Sequence, residues 1–138
     1  MSQTPPATPL PLERTLDGVL GFEISEMREE LARGGFTVED RHRQPMGIVH
    51  GGVYAALAES LVSATTYVAV SRDGMIATGM SNQTSFLRPV VAGRVAADAR
   101  RRHRGRTTWV WEVDFTDDQG RLCALSRVTM AVRPPPRS

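Results

Sequence analysis

Apolar residues recur at helical spacing in the middle of the chain, between Val53 and about Val70. They are three or four positions apart, which places their side chains on one face of an α-helix. The residues of this stripe are Tyr54, Leu57, Ala58, Leu61, Val62, Val68 and Ala69. The spacing predicts one long helix that faces the core, with Gly74 as its stop signal.

Polar and apolar residues alternate on either side of this helix. The alternation is clearest in 108–115, where Trp109, Trp111, Val113 and Phe115 would share one face of a strand. Hairpin turns are predicted at 104–105 and 117–120. Together these signals predict six strands, at 20–27, 32–39, 75–87, 93–103, 107–116 and 121–132. The order predicts an α+β domain in which an antiparallel sheet of five or six strands wraps one long central helix.

The length of 138 residues suits a single domain. We place that domain at 12–133, after a disordered tail at 1–11 that is rich in proline and threonine and before a C-terminal tail at 134–138. No signal peptide is visible, and no segment is expected to reach the roughly 20 apolar residues of a membrane span. The single cysteine, Cys123, lies in an apolar run and is predicted to be a buried structural thiol, which fits a cytoplasmic location.

The net charge of +2 is too small to indicate general nucleic-acid binding. The densest charge run, 100–106, has two open interpretations: a solvated strand end, or a contact for phosphate groups through arginine forks. The three histidines, at positions 42, 50 and 103, give no ligand cluster, so no metal site is predicted.

The segment 47–52, Gly-Ile-Val-His-Gly-Gly, runs directly into the predicted helix. A helix N-terminus presents unpaired N–H groups and partial positive charge, and glycine lets a ligand oxygen approach them closely. The helix carries one acid, Glu59, on a second face of small residues: Gly52, Ala55, Ala56, Ser63 and Thr66. Glu59 is therefore either a surface acid or a carboxylate in a tight groove, where its reactivity can be tuned.

Distance constrains how these two features can work together. Glu59 is eight residues beyond Gly51, which is roughly 12 Å along a helix. One substrate carbonyl cannot contact both groups within one chain. If both act on one bond, they come from two subunits of a symmetric dimer.

Three motifs together resemble a known family: His50-Gly51-Gly52 with Glu59 downstream, the segment 81–89, and Thr107-Thr108-Trp109. They resemble acyl-CoA thioesterases of the hotdog fold, and more closely the 4-hydroxybenzoyl-CoA thioesterase branch that includes phenylacetate-pathway enzymes. The resemblance covers about 12–133. It implies an enzyme that hydrolyses an aryl- or arylalkyl-CoA thioester without a cofactor, and that assembles as a dimer of dimers.

The resemblance also implies roles for single residues. Glu59 would be the catalytic carboxylate, and the Gly51 N–H of the other subunit would polarise the thioester oxygen. Gln44 would assist near the carbonyl or the leaving thiol, and His50 would orient the loop or the substrate. Ser63 would position water or the carboxylate. The nucleotide end of coenzyme A would lie near Arg88, Arg106 and Thr107.

Several alternatives stay open at this point. A Ser-His-Asp hydrolase of the Gly-x-Ser-x-Gly type is not indicated, because that motif is absent. A broad short- or medium-chain acyl-CoA thioesterase and a non-catalytic acyl-CoA-binding module both fit the pattern. The preferred acyl group is open, as is the choice between a nucleophilic and a general-base role for Glu59.

Overall fold

The computed structural model describes residues 8–137, so positions 1–7 of the predicted N-terminal tail and position 138 lie outside the described residues. Two short 3₁₀ turns span Leu12–Arg14 and Asp40–His42. The helices are α1 (Leu16–Val19) and α2 (Gly51–Ser71). The strands are β1 (Glu23–Met27), β2 (Leu31–Thr37), β3 (Ile76–Phe86), β4 (Arg94–Arg104), β5 (Thr108–Thr116) and β6 (Leu122–Arg133).

All six strands form one antiparallel sheet in the order β1-β2-β4-β5-β6-β3. Strand β3 therefore forms one edge, beside β6, although it directly follows α2 in the chain. The sheet packs against α2, so the predicted fold is confirmed. The predicted first strand began too early: the chain turns at Gly21, where φ is 65°, and β1 starts only at Glu23.

The core lies between α2 and the inner face of the sheet. Trp109, Trp111, Val113 and Phe115 are all buried, which confirms the predicted strand face, and Cys123 is buried as predicted. Gly74 ends the helix with a φ of 70°, also as predicted.

Two helix positions were assigned to the wrong face. Thr66 is buried and accepts a hydrogen bond from Trp111 Nε1 at 3.0 Å, whereas Val68 is 43% exposed. The predicted stripe followed a fixed line along the helix. The real sheet is twisted, so the strip of helix that it covers turns around the axis towards the C-terminal end.

The expectation that no segment approaches the length of a membrane span was also wrong. At 21 residues, α2 is long and apolar enough to meet that criterion by length and composition. Half of the apolar window is buried inside this protein, against the sheet. Core packing thus accounts for the composition of the helix.

Candidate active site

The loop before α2 places Gln44 beside a cavity. Gln44 N donates to Ile48 O at 2.8 Å, and Gly47 N donates back to Gln44 O at 2.8 Å, with Gly47 at a φ of 88°. The Gln44 side-chain oxygen accepts from the amide of Met46. The NH₂ group of Gln44 has no hydrogen-bond partner within residues 8–137, so it is available to a ligand in the cavity that the residue lines.

His50 is the N-cap of α2. Its Nδ1 accepts from Gly52 N–H at 2.8 Å, and its own amide donates to His42 O at 2.8 Å. These bonds hold the turn that leads into the helix. The geometry agrees with a loop-orienting role for His50, and a direct part in catalysis stays a prediction.

The Gly51 amide opens the helix, and no acceptor for it is found within residues 8–137. The ring of Phe86 lies directly over this glycine: a Cβ at position 51 would be 2.6 Å from the ring Cζ. A side chain at position 51 would require the Phe86 ring to shift, and with glycine there the N–H remains available as a donor.

The cavity in front of this amide measures about 800 Å³. Its polar groups come from Gln44, His50 and Arg88. The rest of the lining is mainly apolar: Ile48, Val49, Tyr54, Phe86, Leu87, Pro89 and Val90. Burial is the main cause that raises the pKa of Tyr54, so this tyrosine is neutral and is not a candidate base.

Glu59 lies further along the same helix, and its carboxylate is over Gly79 of the edge strand. A Cβ on Gly79 would be 2.5 Å from Glu59 Oε1. Glu59 is exposed in the protomer and does not line the cavity at Gly51. A single protomer thus does not bring the carboxylate and the Gly51 amide together.

Ser63 lies one turn beyond Glu59. Its hydroxyl donates to Met130 Sδ at 3.6 Å, towards β6. The structure shows no hydrogen bond between Ser63 and Glu59 within residues 8–137, and the proposed role of Ser63 in positioning water stays a prediction.

The three residues predicted to bind coenzyme A are split between opposite ends of the sheet. Arg88 follows the end of β3 that pairs with Ala124, whereas Arg106 and Thr107 precede β5 near Ala131, at the other end of β6. The eleven residues of β3 make ten steps of strand, roughly 33 Å from end to end. One protomer therefore does not form a single site from all three.

The arginine run at 100–106 is largely engaged in the protein itself. Arg101 and Arg104 pair with Glu29 at 3.6 and 3.1 Å and lie over the Trp109 ring at 4.9 and 5.4 Å. Both guanidinium groups are thus engaged within the protein, which favours the strand-end interpretation over a phosphate contact for these two side chains. Arg106 is exposed and lines a second cavity of about 380 Å³ together with Arg104 and Trp109.

Sequence reasoning missed two residues that shape the site, Gly79 and Asn82. Gly79 leaves room for the Glu59 carboxylate, and Asn82 Nδ2 donates to the Ala55 carbonyl of α2 at 2.8 Å. A glycine within a strand often marks a close approach, and this signal could have identified Gly79. No local signal could have revealed the partner of Asn82.

The fold agrees with that of known proteins. The family model described as "Thioesterase superfamily" matches residues 46–124. The proofreading thioesterase EntH of Cronobacter turicensis is 38% identical over 118 residues, which cover 86% of this chain and 85% of EntH. The crystal structure of a mutant of thioesterase PA1618 from Pseudomonas aeruginosa superposes with a TM-score of 0.84 at 34% identity, covering 89% of this chain and 88% of that one.

Two further solved structures are similar to this chain. Thioesterase SAV0944 from Staphylococcus aureus, in a glutamine-to-alanine mutant, has a TM-score of 0.82 at 28% identity and covers 86% of this chain and 98% of its own. The E. coli PaaI protein, from the phenylacetic acid degradation operon, has a TM-score of 0.75 at 28% identity and covers 86% and 83%. With the hotdog architecture, the family match and thioesterase relatives over most of its length, this chain belongs to the thioesterase superfamily and is a thioester hydrolase.

Proposed function

We propose that this enzyme hydrolyses an aryl- or arylalkyl-CoA thioester to the free acid and coenzyme A. The observation that carries the proposal is the free Gly51 amide, which opens under the Phe86 ring onto a largely apolar cavity of about 800 Å³. A flat apolar acyl group suits that lining. The similarity to PaaI, a protein of the phenylacetic acid degradation operon, supports the same substrate class.

Known variants of a relative support the choice of Gln44 and Glu59. SAV0944 has been solved as a glutamine-to-alanine and as a glutamate-to-alanine mutant, at positions fifteen residues apart. Gln44 and Glu59 are separated by the same fifteen residues. The pair that we assign to the chemistry thus has the spacing of the pair altered in that thioesterase.

A symmetric dimer would complete the site. Along α2, Gly51 lies level with Phe86 of β3, Ala55 with Asn82, and Glu59 with Gly79. A two-fold axis at the level of Ala55 would set Gly51 of one protomer opposite Glu59 of the other. The helix face there consists of small residues, which allow close approach.

The edge strand supports the same arrangement. Eight of the eleven residues of β3 are exposed, including Met80 at 57% and Phe86 at 60%. An unpaired edge of this length offers its backbone groups for pairing with another strand. Antiparallel pairing of two β3 strands would also bring Arg88 of one protomer towards Arg106 and Thr107 of the other, so the CoA residues would meet only in the dimer. Two such dimers would then associate into a dimer of dimers.

The chemistry follows from these positions. The thioester oxygen accepts from the Gly51 N–H, which stabilises the charge that develops there, and the Gln44 NH₂ donates nearby. Glu59 from the other protomer either attacks the carbonyl carbon or removes a proton from the water that attacks it. The C–S bond then breaks and the thiolate leaves. In the nucleophilic route a mixed anhydride of Glu59 and the acyl group remains, which water hydrolyses to the free acid and the Glu59 carboxylate, and the thiolate takes its proton from solvent. In the general-base route the water supplies the hydroxyl group of the acid, and the proton held by Glu59 passes to the thiolate. These steps use no metal or cofactor.

A thiol-release assay with benzoyl-, phenylacetyl- and hexanoyl-CoA tests the proposal. We expect kcat/KM for an aromatic substrate to exceed that for hexanoyl-CoA by at least about tenfold, a difference of about 1.4 kcal/mol in transition-state binding. The main alternative, a broad short- or medium-chain acyl-CoA thioesterase, predicts equal or higher values for hexanoyl-CoA. Binding of all three substrates without thiol release would contradict hydrolysis itself.

A further inference from the structure

The side chain of Asn82 bridges the edge strand and the central helix. Asn82 Nδ2 donates to the Ala55 carbonyl at 2.8 Å. In an α-helix this carbonyl is also the acceptor for the N–H four residues on, which is that of Glu59. The Asn82 side chain and the backbone N–H of Glu59 therefore donate to the same carbonyl oxygen, that of Ala55.

The other end of the Asn82 amide is held by the sheet. Its Oδ1 accepts from Thr84 Oγ1 at 2.8 Å, and Thr84 Oγ1 lies 2.7 Å from Ser126 Oγ on β6. Thr84 has one hydroxyl proton, which it gives to Asn82, so Ser126 must donate to Thr84. Ser126 is buried, so the chain of hydrogen bonds starts in the core and ends at the helix.

This contact is isolated. Within residues 8–137, it is the one side-chain hydrogen bond that joins α2 to β3. The strand pairing is irregular between Gly79 and Ser81, directly beneath the Glu59 carboxylate. A bulge bends a strand locally. A hydrogen bond between strand and helix close to the bulge therefore helps to hold Glu59 at a constant distance from β3.

We propose that Asn82 is a positioning residue for Glu59: it fixes the height of α2 along β3 and so sets where the carboxylate lies. This inference rests on the proposed function, in which Glu59 acts on the thioester. A displacement of about 1 Å at a reacting group can cost about a hundredfold in rate. The cavity and Arg88 lie elsewhere, so substrate binding should be affected much less than turnover.

The substitution Asn82→Asp isolates the contact. Aspartate has the same shape and still accepts from Thr84, but it has no proton to donate to the Ala55 carbonyl. Asn82→Ala is the neutral comparison. Thr84→Val removes the hydroxyl group that donates to Asn82 Oδ1. Gln83→Ala, next to Asn82 and also exposed, is the matched control.

We expect Asn82→Asp and Asn82→Ala to lower kcat by about ten- to a hundredfold with KM within about threefold of wild type. Thr84→Val should give a smaller loss, and Gln83→Ala none. In a Glu59→Gln background, Asn82→Ala should cause no further loss, because two residues that act through one group are not additive. A purely structural role would lower activity in both backgrounds.

The melting temperature of each variant is measured by circular dichroism, and the assays are run well below it. The inference is overturned if folded Asn82→Asp and Asn82→Ala both keep kcat within twofold of wild type, or if the Asn82→Ala loss is equal in the Glu59→Gln background. Failure of the proposed function looks different: Glu59→Gln itself would then turn over normally.

Discussion

The carboxylate of Glu59 occupies the space that a side chain at Gly79 would need, since a Cβ on Gly79 would be 2.5 Å from Glu59 Oε1. The glycine and the acid come from different elements, the edge strand and the central helix. The absence of a side chain at Gly79 thus leaves room for the Glu59 carboxylate. It also provides a way to displace the carboxylate without removing it.

Gly79→Ala should lower kcat by about ten- to a hundredfold, because the added methyl group must push the Glu59 carboxylate aside. The backbone of Gly79 does not have a positive φ, so alanine adds no backbone strain there. Thr78→Ala, next to it on the same exposed strand, is the control and should retain full activity. Steady-state kinetics would contradict this account if both variants behaved alike.

The Gly51 amide can be tested with two substitutions that both add a Cβ beneath the Phe86 ring. Gly51→Pro removes the N–H, and proline is well accepted at the first position of a helix. Gly51→Ala keeps the N–H but makes the same contact with Phe86. The proline variant should lose about 10²–10³ more in kcat than the alanine variant. Equal losses would assign the effect to the clash with the ring.

A composite site predicts complementation between inactive subunits. Glu59→Gln should reduce kcat by about 10³ or more with little change in KM, and Gly51→Pro should also be nearly inactive. A mixed dimer of the two variants would contain one site with both defects and one site with neither. Co-expression with two different tags and tandem purification should recover up to half of the wild-type activity. Mixed dimers as inactive as their parents would refute the shared site.

Arg88→Ala should weaken substrates that carry the nucleotide of coenzyme A more than truncated ones. Arg88 is exposed and lines the cavity, and a guanidinium group can pair with phosphate oxygens. We expect KM to rise roughly three- to tenfold for a CoA thioester, and to stay unchanged for the matching N-acetylcysteamine thioester. Arg72→Ala, an exposed arginine beyond the end of α2, is a control for net charge. The same change with both substrates would remove Arg88 from the phosphate contact.

The stability of the β5–β6 hairpin should depend on pH through Asp117. Hydrogen bonds from the backbone of Arg121, followed by its side chain and the amide of Gln119, hold the pKa of Asp117 below its usual value. A lowered pKa means that this stabilisation is complete above the ordinary pKa of the carboxyl and is lost as the pH falls through the folded value. The difference in Tm between wild type and Asp117→Asn should therefore be constant above about pH 5 and shrink as the pH falls further to about pH 3. A constant difference in Tm over this range would show that ionised Asp117 does not stabilise the hairpin.

The sequence predicted the individual elements well because their signals are local. Helical spacing marked α2, alternation marked β5, and Gly74 marked the end of the helix. Thr66 and Val68 were misassigned because one helical line cannot follow a twisted sheet. Gly79 and Asn82 were missed because their importance comes from Glu59 and Ala55, which belong to another element.

The sequence by itself determined the types and order of the elements, the glycine at the start of the helix and the single acid within it, since these depend on neighbours a few positions apart. Tertiary structure decided which groups meet. It set Glu59 over Gly79, connected Asn82 to Ala55, and left Arg88 and Arg106 at opposite ends of the sheet. Strand order, register and twist determine such distances, and they result from the packing of the whole chain.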